Sequence, residues 1–124
     1  MIGKIVDASA IAAILFQEPE ANSVAAQIEG SPLFAPELLL FEIANICVKK
    51  IRRYQSLEAE IQTAVLSFSA FDIEVFGMDL HGVVATARAH NLTAYDASYL
   101  WLARELGCEL VTLDARLKSA SANL

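Results

Sequence analysis

The sequence predicts an α/β fold, a short central parallel sheet covered by helices on both faces. Short β-favouring runs alternate along the chain with helical stretches, the pattern of a three-layer domain. With 124 residues, 56% of them hydrophobic and 19% charged, the chain has the material for one full core. No linker-like segment divides it, so residues 1–124 are expected to form a single domain.

The opening run MIGKIV favours a strand ending at Asp7. Residues 8–16 read as helix, because alanine and isoleucine continue without glycine or proline until Pro19 stops them. A second helix over 20–29 is closed by Gly30, and PLFAP is a short strand pinned between Pro32 and Pro36. Pro36 suits the first turn of a long helix, PELLLFEIANICVKKIRR. A helix within 56–71, a strand over 73–76 and a helix over 80–90 follow. The last long helix opens at AYDAS and ends at Gly107, and CELVTLD, 108–114, is the final strand.

The net charge of -6 argues against binding to nucleic acid through a broad basic surface, since such binding depends on lysines and arginines displacing counterions. Nucleic acid remains open through metal-bridged carboxylates and the local basic run KKIRR, 49–53. The two cysteines, Cys47 and Cys108, fit neither a disulfide framework nor a zinc site, which implies a reducing cytoplasm. An acidic residue stands where a signal peptide needs its apolar region, and LLLFEIANICV is too short to span a bilayer and carries Glu42. A soluble, unprocessed protein away from membranes is expected.

Asp-Ala-Ser occurs twice, at residues 7–9 and 96–98, but the two copies have unlike preceding segments, so duplication is rejected. Asp7 and Asp114 each follow a strand and precede a helix. Either can be a simple helix cap, yet ligands of open parallel sheets bind at that same edge. Thr93 and Asp96 fit a capping box. Glu42 is harder to explain structurally: its helix is apolar on nearly all sides, so burial is expected, and a buried carboxylate needs a cation. Asn45 shares its face. That cation is an arginine or lysine, or a divalent metal shared by Asp7, Glu42, Asp96 and Asp114, an oxygen-only set that suits magnesium. Ser9 and Thr112 stand ready to hold a carboxylate or a water. His81 and His90 read as ordinary helix-end positions. No nucleophile elbow, Walker loop or dinucleotide turn is present.

Together IVDAS, FEIAN, YDASYL and VTLDARL resemble, in order and over the whole chain, a PIN-domain nuclease of the VapC toxin type. The resemblance implies a three-layer α/β/α PIN-like fold in which Asp7, Glu42, Asp96 and Asp114 bind Mg2+ or Mn2+, with Ser9 assisting and Asn45 completing a Glu-x-x-Asn pattern. It implies metal-dependent hydrolysis of RNA to leave a 5′ phosphate, a homodimer, and inhibition by a small antitoxin with a DNA-binding domain that lays a basic side chain over the acids. Two rivals are a phospho-acceptor receiver domain, disfavoured by a single acid after the first strand, and an inactive PIN-like binding module.

Overall fold

The computed structural model describes residues 3–122, so Met1 and Ile2 of the expected first strand lie outside it. Its strands are β1 (Lys4–Val6), β2 (Leu33–Pro36), β3 (Glu74–Phe76) and β4 (Glu109–Val111), all parallel and in the order β3-β2-β1-β4. The helices are α1 (Ala8–Leu15), α2 (Ala21–Ile28), α3 (Leu38–Arg53), α4 (Glu58–Leu66), α5 (Leu80–His90), α6 (Ala94–Leu106) and α7 (Ala115–Ala122). Single 3-10 turns flank α4 at Gln55–Leu57 and Ser67–Phe71.

Strand alternation builds the three layers. Val6, Ala35 and Val111 point to one face, where they pack with Ile11, Val24, Leu39, Ile43 and Ile61 of the first four helices. Ile5, Phe34 and Leu110 point to the other, against Tyr99, Leu100 and Leu102 of α6 and Leu117 of α7. Both faces of β1, β2 and β4 are therefore covered, as the expected fold class requires, while the edge strand β3 leaves Glu74 and Val75 exposed.

Two boundaries differ from the sequence reading for identifiable reasons. Pro36 closes β2 instead of opening the helix; it has no N–H to donate, and the next amide, Glu37 N, bonds to Phe76 O at 3.0 Å. The last strand stops at Val111, not 114. Beyond it the amides of Leu113 and Asp114 donate to the side chains of Ser9 and Thr112, which removes them from any ladder.

Helix α3 corrects a larger expectation. Its buried residues are Leu39, Ile43 and Cys47, a single stripe, while Leu40, Phe41 and Val48 are open to solvent. Only one side meets the sheet, and apolar residues off that stripe have no layer to enter.

Candidate active site

The strand order places a crevice between β1 and β4. From β1 the chain crosses to β2 and β3 on one side, then returns to β4 on the other, so the loops after β1 and β4 diverge at the carboxyl edge. Asp7 follows β1 and Asp114 lies just past β4. Helix α6, packed across β1 and β2, brings Asp96 in its first turn to the same edge, and α3 starts one residue after β2 with Glu42 in its second turn.

Asp7 is the best held of these acids and only 4% exposed. Extended backbone at Asp7 (φ -101°, ψ 176°) lets its side chain cap α1, with Ala10 N donating to Oδ1 at 3.0 Å. Ser9 Oγ donates to the same oxygen at 2.7 Å, and Thr112 Oγ1 donates to Oδ2. Each hydroxyl is itself oriented by a backbone amide: Leu113 N donates to Ser9 Oγ at 2.9 Å and Asp114 N to Thr112 Oγ1 at 3.0 Å. Asp114 caps α7, accepting from Leu117 N at 2.9 Å, and Thr93 Oγ1 caps α6, accepting from Asp96 N at 3.1 Å. Asp7 and Asp114 thus cap helices as expected, and of the Thr93–Asp96 box the bond from Asp96 N to Thr93 is formed; each of the three acids is held at a helix start.

Among the described residues Glu42 forms no ion pair with an arginine or lysine. Its Oε1 accepts a short hydrogen bond from the buried hydroxyl of Tyr99, one turn along α6 from Asp96. Sequence reasoning missed this residue. Its signal was the three-residue spacing from Asp96, which puts both on one helix face. Asn45 is exposed and takes no part in the described hydrogen-bond network. His81 and His90 sit at the two ends of α5.

The acids act on one another. Burial raises the Asp7 carboxyl above its ordinary range against the hydrogen bonds from Thr112, Ser9 and Ala10, and the Asp114 charge adds to the rise. Burial also raises Glu42, opposed by Tyr99 and reinforced by Asp7 and Asp96. Asp96 is raised by burial and by Asp114 and Asp7, while Arg116 and Thr93 work against the shift. The Tyr99 hydroxyl is held protonated by burial and by the neighbouring acids, Glu42 foremost. Arg116 is the second residue missed; it stands two places past Asp114 in VTLDARL. Among the described residues no three acids, histidines or cysteines form a ready-made metal cage.

A family model for the PIN domain matches residues 4–123. This chain belongs to the PIN-domain family. Within it the chain groups with the VapC ribonucleases. It is 32% identical over 118 residues to Ribonuclease VapC3 of Pyrobaculum aerophilum, covering 91% of this chain and 90% of that protein. It is 34% identical over 114 residues to Ribonuclease VapC9 of Mycobacterium tuberculosis and to VapC ribonuclease Mb0985 of Mycobacterium bovis, covering 91% of this chain and 87% of each. The crystal structure of PAE2754 from Pyrobaculum aerophilum superposes with a TM-score of 0.78 at 27% identity, covering 96% of this chain and 84% of that one. Membership in the PIN-domain family sets aside the receiver-domain alternative.

Proposed function

We propose that this PIN-domain chain works as a metal-dependent endoribonuclease, the VapC-type toxin of a toxin-antitoxin pair, with its acidic centre at the carboxyl edge of β1 and β4. Ribonuclease activity follows from the family and from relatives that bear that name. The observation that carries the assignment of the centre is Asp7, a nearly buried carboxylate that forms no ion pair among the described residues and whose charge neighbour is the acid Asp114. Such an arrangement is unfavourable in an empty site and becomes favourable once positive charge is supplied.

The donors fit a hard divalent cation, Mg2+ or Mn2+. All are carboxylate oxygens, and magnesium needs no closed protein cage, since it keeps several waters and is commonly held by one or two carboxylates with substrate phosphate. Asp7, Glu42 and Asp96 would hold it, with Asp114 a further ligand or an outer group. When bound, the metal supplies positive charge at the scissile phosphate and eases ionisation of the attacking water. The protein's own residues do the positioning. Ser9 and Thr112, their hydroxyls 3.5 Å apart, each hold one oxygen of Asp7, Tyr99 aims Glu42, and the α6 cap at Thr93 fixes the turn carrying Asp96. Asn45, exposed on α3 three residues past Glu42, is a supporting residue of the centre.

In this reading residues 1–124 act as one PIN-like nuclease unit in the cytoplasm; among the described residues no helix is long and apolar enough to cross a membrane. The protein is a homodimer and is silenced by a small VapB-like antitoxin with a DNA-binding domain and a basic side chain over the acids. Purified protein free of antitoxin is expected to cleave single-stranded RNA with magnesium or manganese, to stop in EDTA, and to lose cleavage in Asp7→Asn. Undiminished cleavage in chelator would remove the metal mechanism, and no cleavage under any metal would favour the inactive binding module.

A further inference from the structure

We infer that the cavity between the end of α5 and α7 is a phosphate-binding subsite that grips the RNA strand beside the acidic centre, with Arg116 as its positioning residue. This rests on the ribonuclease reading and extends it to how an acidic protein holds a polyanion. A chain of net charge -6 with carboxylates at its reactive centre repels RNA at the place where RNA must lie. Beyond the charge that a bound metal supplies at the scissile phosphate, a side-chain cation next to the acids would hold the flanking strand, provided it is free to meet phosphate.

Arg116 meets both conditions. It stands in the first turn of α7, two residues after Asp114, the acid that caps that helix at the carboxyl edge of the sheet. It is exposed and forms no ion pair among the described residues, whereas Lys4 and Lys50 are tied to Glu109 and Glu18. The basic run 49–53 serves less well. It begins two helical turns beyond Glu42, about 10 Å along α3, and its Lys50 also lies over the Phe16 ring.

The cavity has the size and lining for a nucleotide. Its volume is about 470 Å3, and its walls include His90, Asn91, Leu92, Arg116 and Ser119. Residues 116, 119 and 120 share one face of α7, which Leu117 and Ala120 anchor in the core. On the opposite wall, Asn91 ends α5 in left-handed conformation (φ 53°), turning the chain directly into Leu92 and the α6 cap, Thr93. The same turn thus carries the cavity wall and, three residues past Thr93, Asp96. A strand phosphate on Arg116, held by a two-pronged guanidinium contact, would sit beside the scissile position, with His90 and Asn91 at hand for a second phosphate oxygen or the sugar.

The test uses a fluorescent single-stranded RNA bound to Asp7→Asn protein in saturating magnesium, with affinity measured over a series of salt concentrations. Adding Arg116→Gln is expected to weaken binding about tenfold, the effect of one lost charged hydrogen-bond pair. It should also flatten the slope of log Kd against log salt by about 0.7, one phosphate contact on a single strand. Arg116→Lys should keep the slope and lose part of the affinity, while Arg53→Gln on α3 changes neither. Affinity and slope unaltered in Arg116→Gln would overturn the subsite. If the unmutated protein still cuts RNA in that case, the nuclease reading stands without it. If the unmutated protein neither binds nor cuts RNA, both fall together.

Discussion

At Asp7 one side chain performs two tasks whose energetic demands conflict. As a cap it satisfies a free helix amide, which stabilises the fold; as a desolvated carboxylate near Asp114 it opposes its own ionisation. Asparagine would keep the cap through Oδ1, and its amide can donate to the spare lone pair of Thr112 Oγ1. Asp7→Asn is therefore expected to stabilise the metal-free protein by about 1 kcal/mol, within the usual span of single substitutions. Magnesium should raise the melting temperature of the unmutated protein more than that of the variant, because a ligand bound only to the folded state stabilises according to its affinity. The pH dependence has a definite sign. Asp7, Glu42 and Asp96 are all raised in the fold, so the native state holds more protons than the unfolded chain. Their contribution is therefore most favourable below the unfolded values and is lost as pH rises through the folded ones. In EDTA the melting temperature should fall between mildly acidic and neutral pH, by less in Asp7→Asn. Equal melting behaviour of the two proteins in all buffers would leave Asp7 as a cap alone.

At the scale of elements, the α5–α6 pair sets where Asp96 stands. The two helices pack closely through Gly82, where an added Cβ would lie 2.6 Å from Trp101 Nε1 and 2.7 Å from Asp79 Oδ2. Asp79 is itself the cap of α5, accepting from Gly82 N at 2.8 Å. Gly82→Ala would therefore push α5 from α6 and disturb the cap at once, for a loss of about 1–3 kcal/mol typical of overpacking. Denaturant unfolding should show the midpoint moved down, with cleavage reduced by displacement of Asp96. A midpoint raised by the better helix propensity of alanine would mean that the interface yields at no cost.

For the whole molecule, the apolar residues that α3 leaves in solvent are not isolated. Phe41, 74% exposed, shares with Met78 and Tyr95 the walls of a mostly apolar recess of about 280 Å3. Exposed apolar surface of this kind marks association, and Phe41 and Tyr95 immediately precede Glu42 and Asp96 in the chain. Light scattering is expected to report at least a dimer, and Phe41→Glu should shift it toward monomer. A monomer at high micromolar concentration for the unmutated protein would refute self-association through this face.

Much of this was legible in the chain itself. Local rules were enough for α1, α2, α5 and α6, because caps, glycine stops and apolar runs act over a few residues: Asp7 and Thr93 open helices, and Gly107 (φ 64°) ends one. The residue types of the proposed centre form a short-range pattern too, acids at strand ends and helix starts. What the linear order could not decide was which side chains answer one another across it. Thr112 reaches Asp7 from 105 positions away, Tyr99 takes the place at Glu42 that a cation was expected to fill, and Arg116 bears on Asp96. The packing of α3 belonged to the same class, for its apolar sequence fits either full or one-sided burial. Propensity and capping are local energies, carried by neighbours in sequence. Desolvation, coulombic coupling and layer contacts exist only when the sheet has closed and distant segments share one edge.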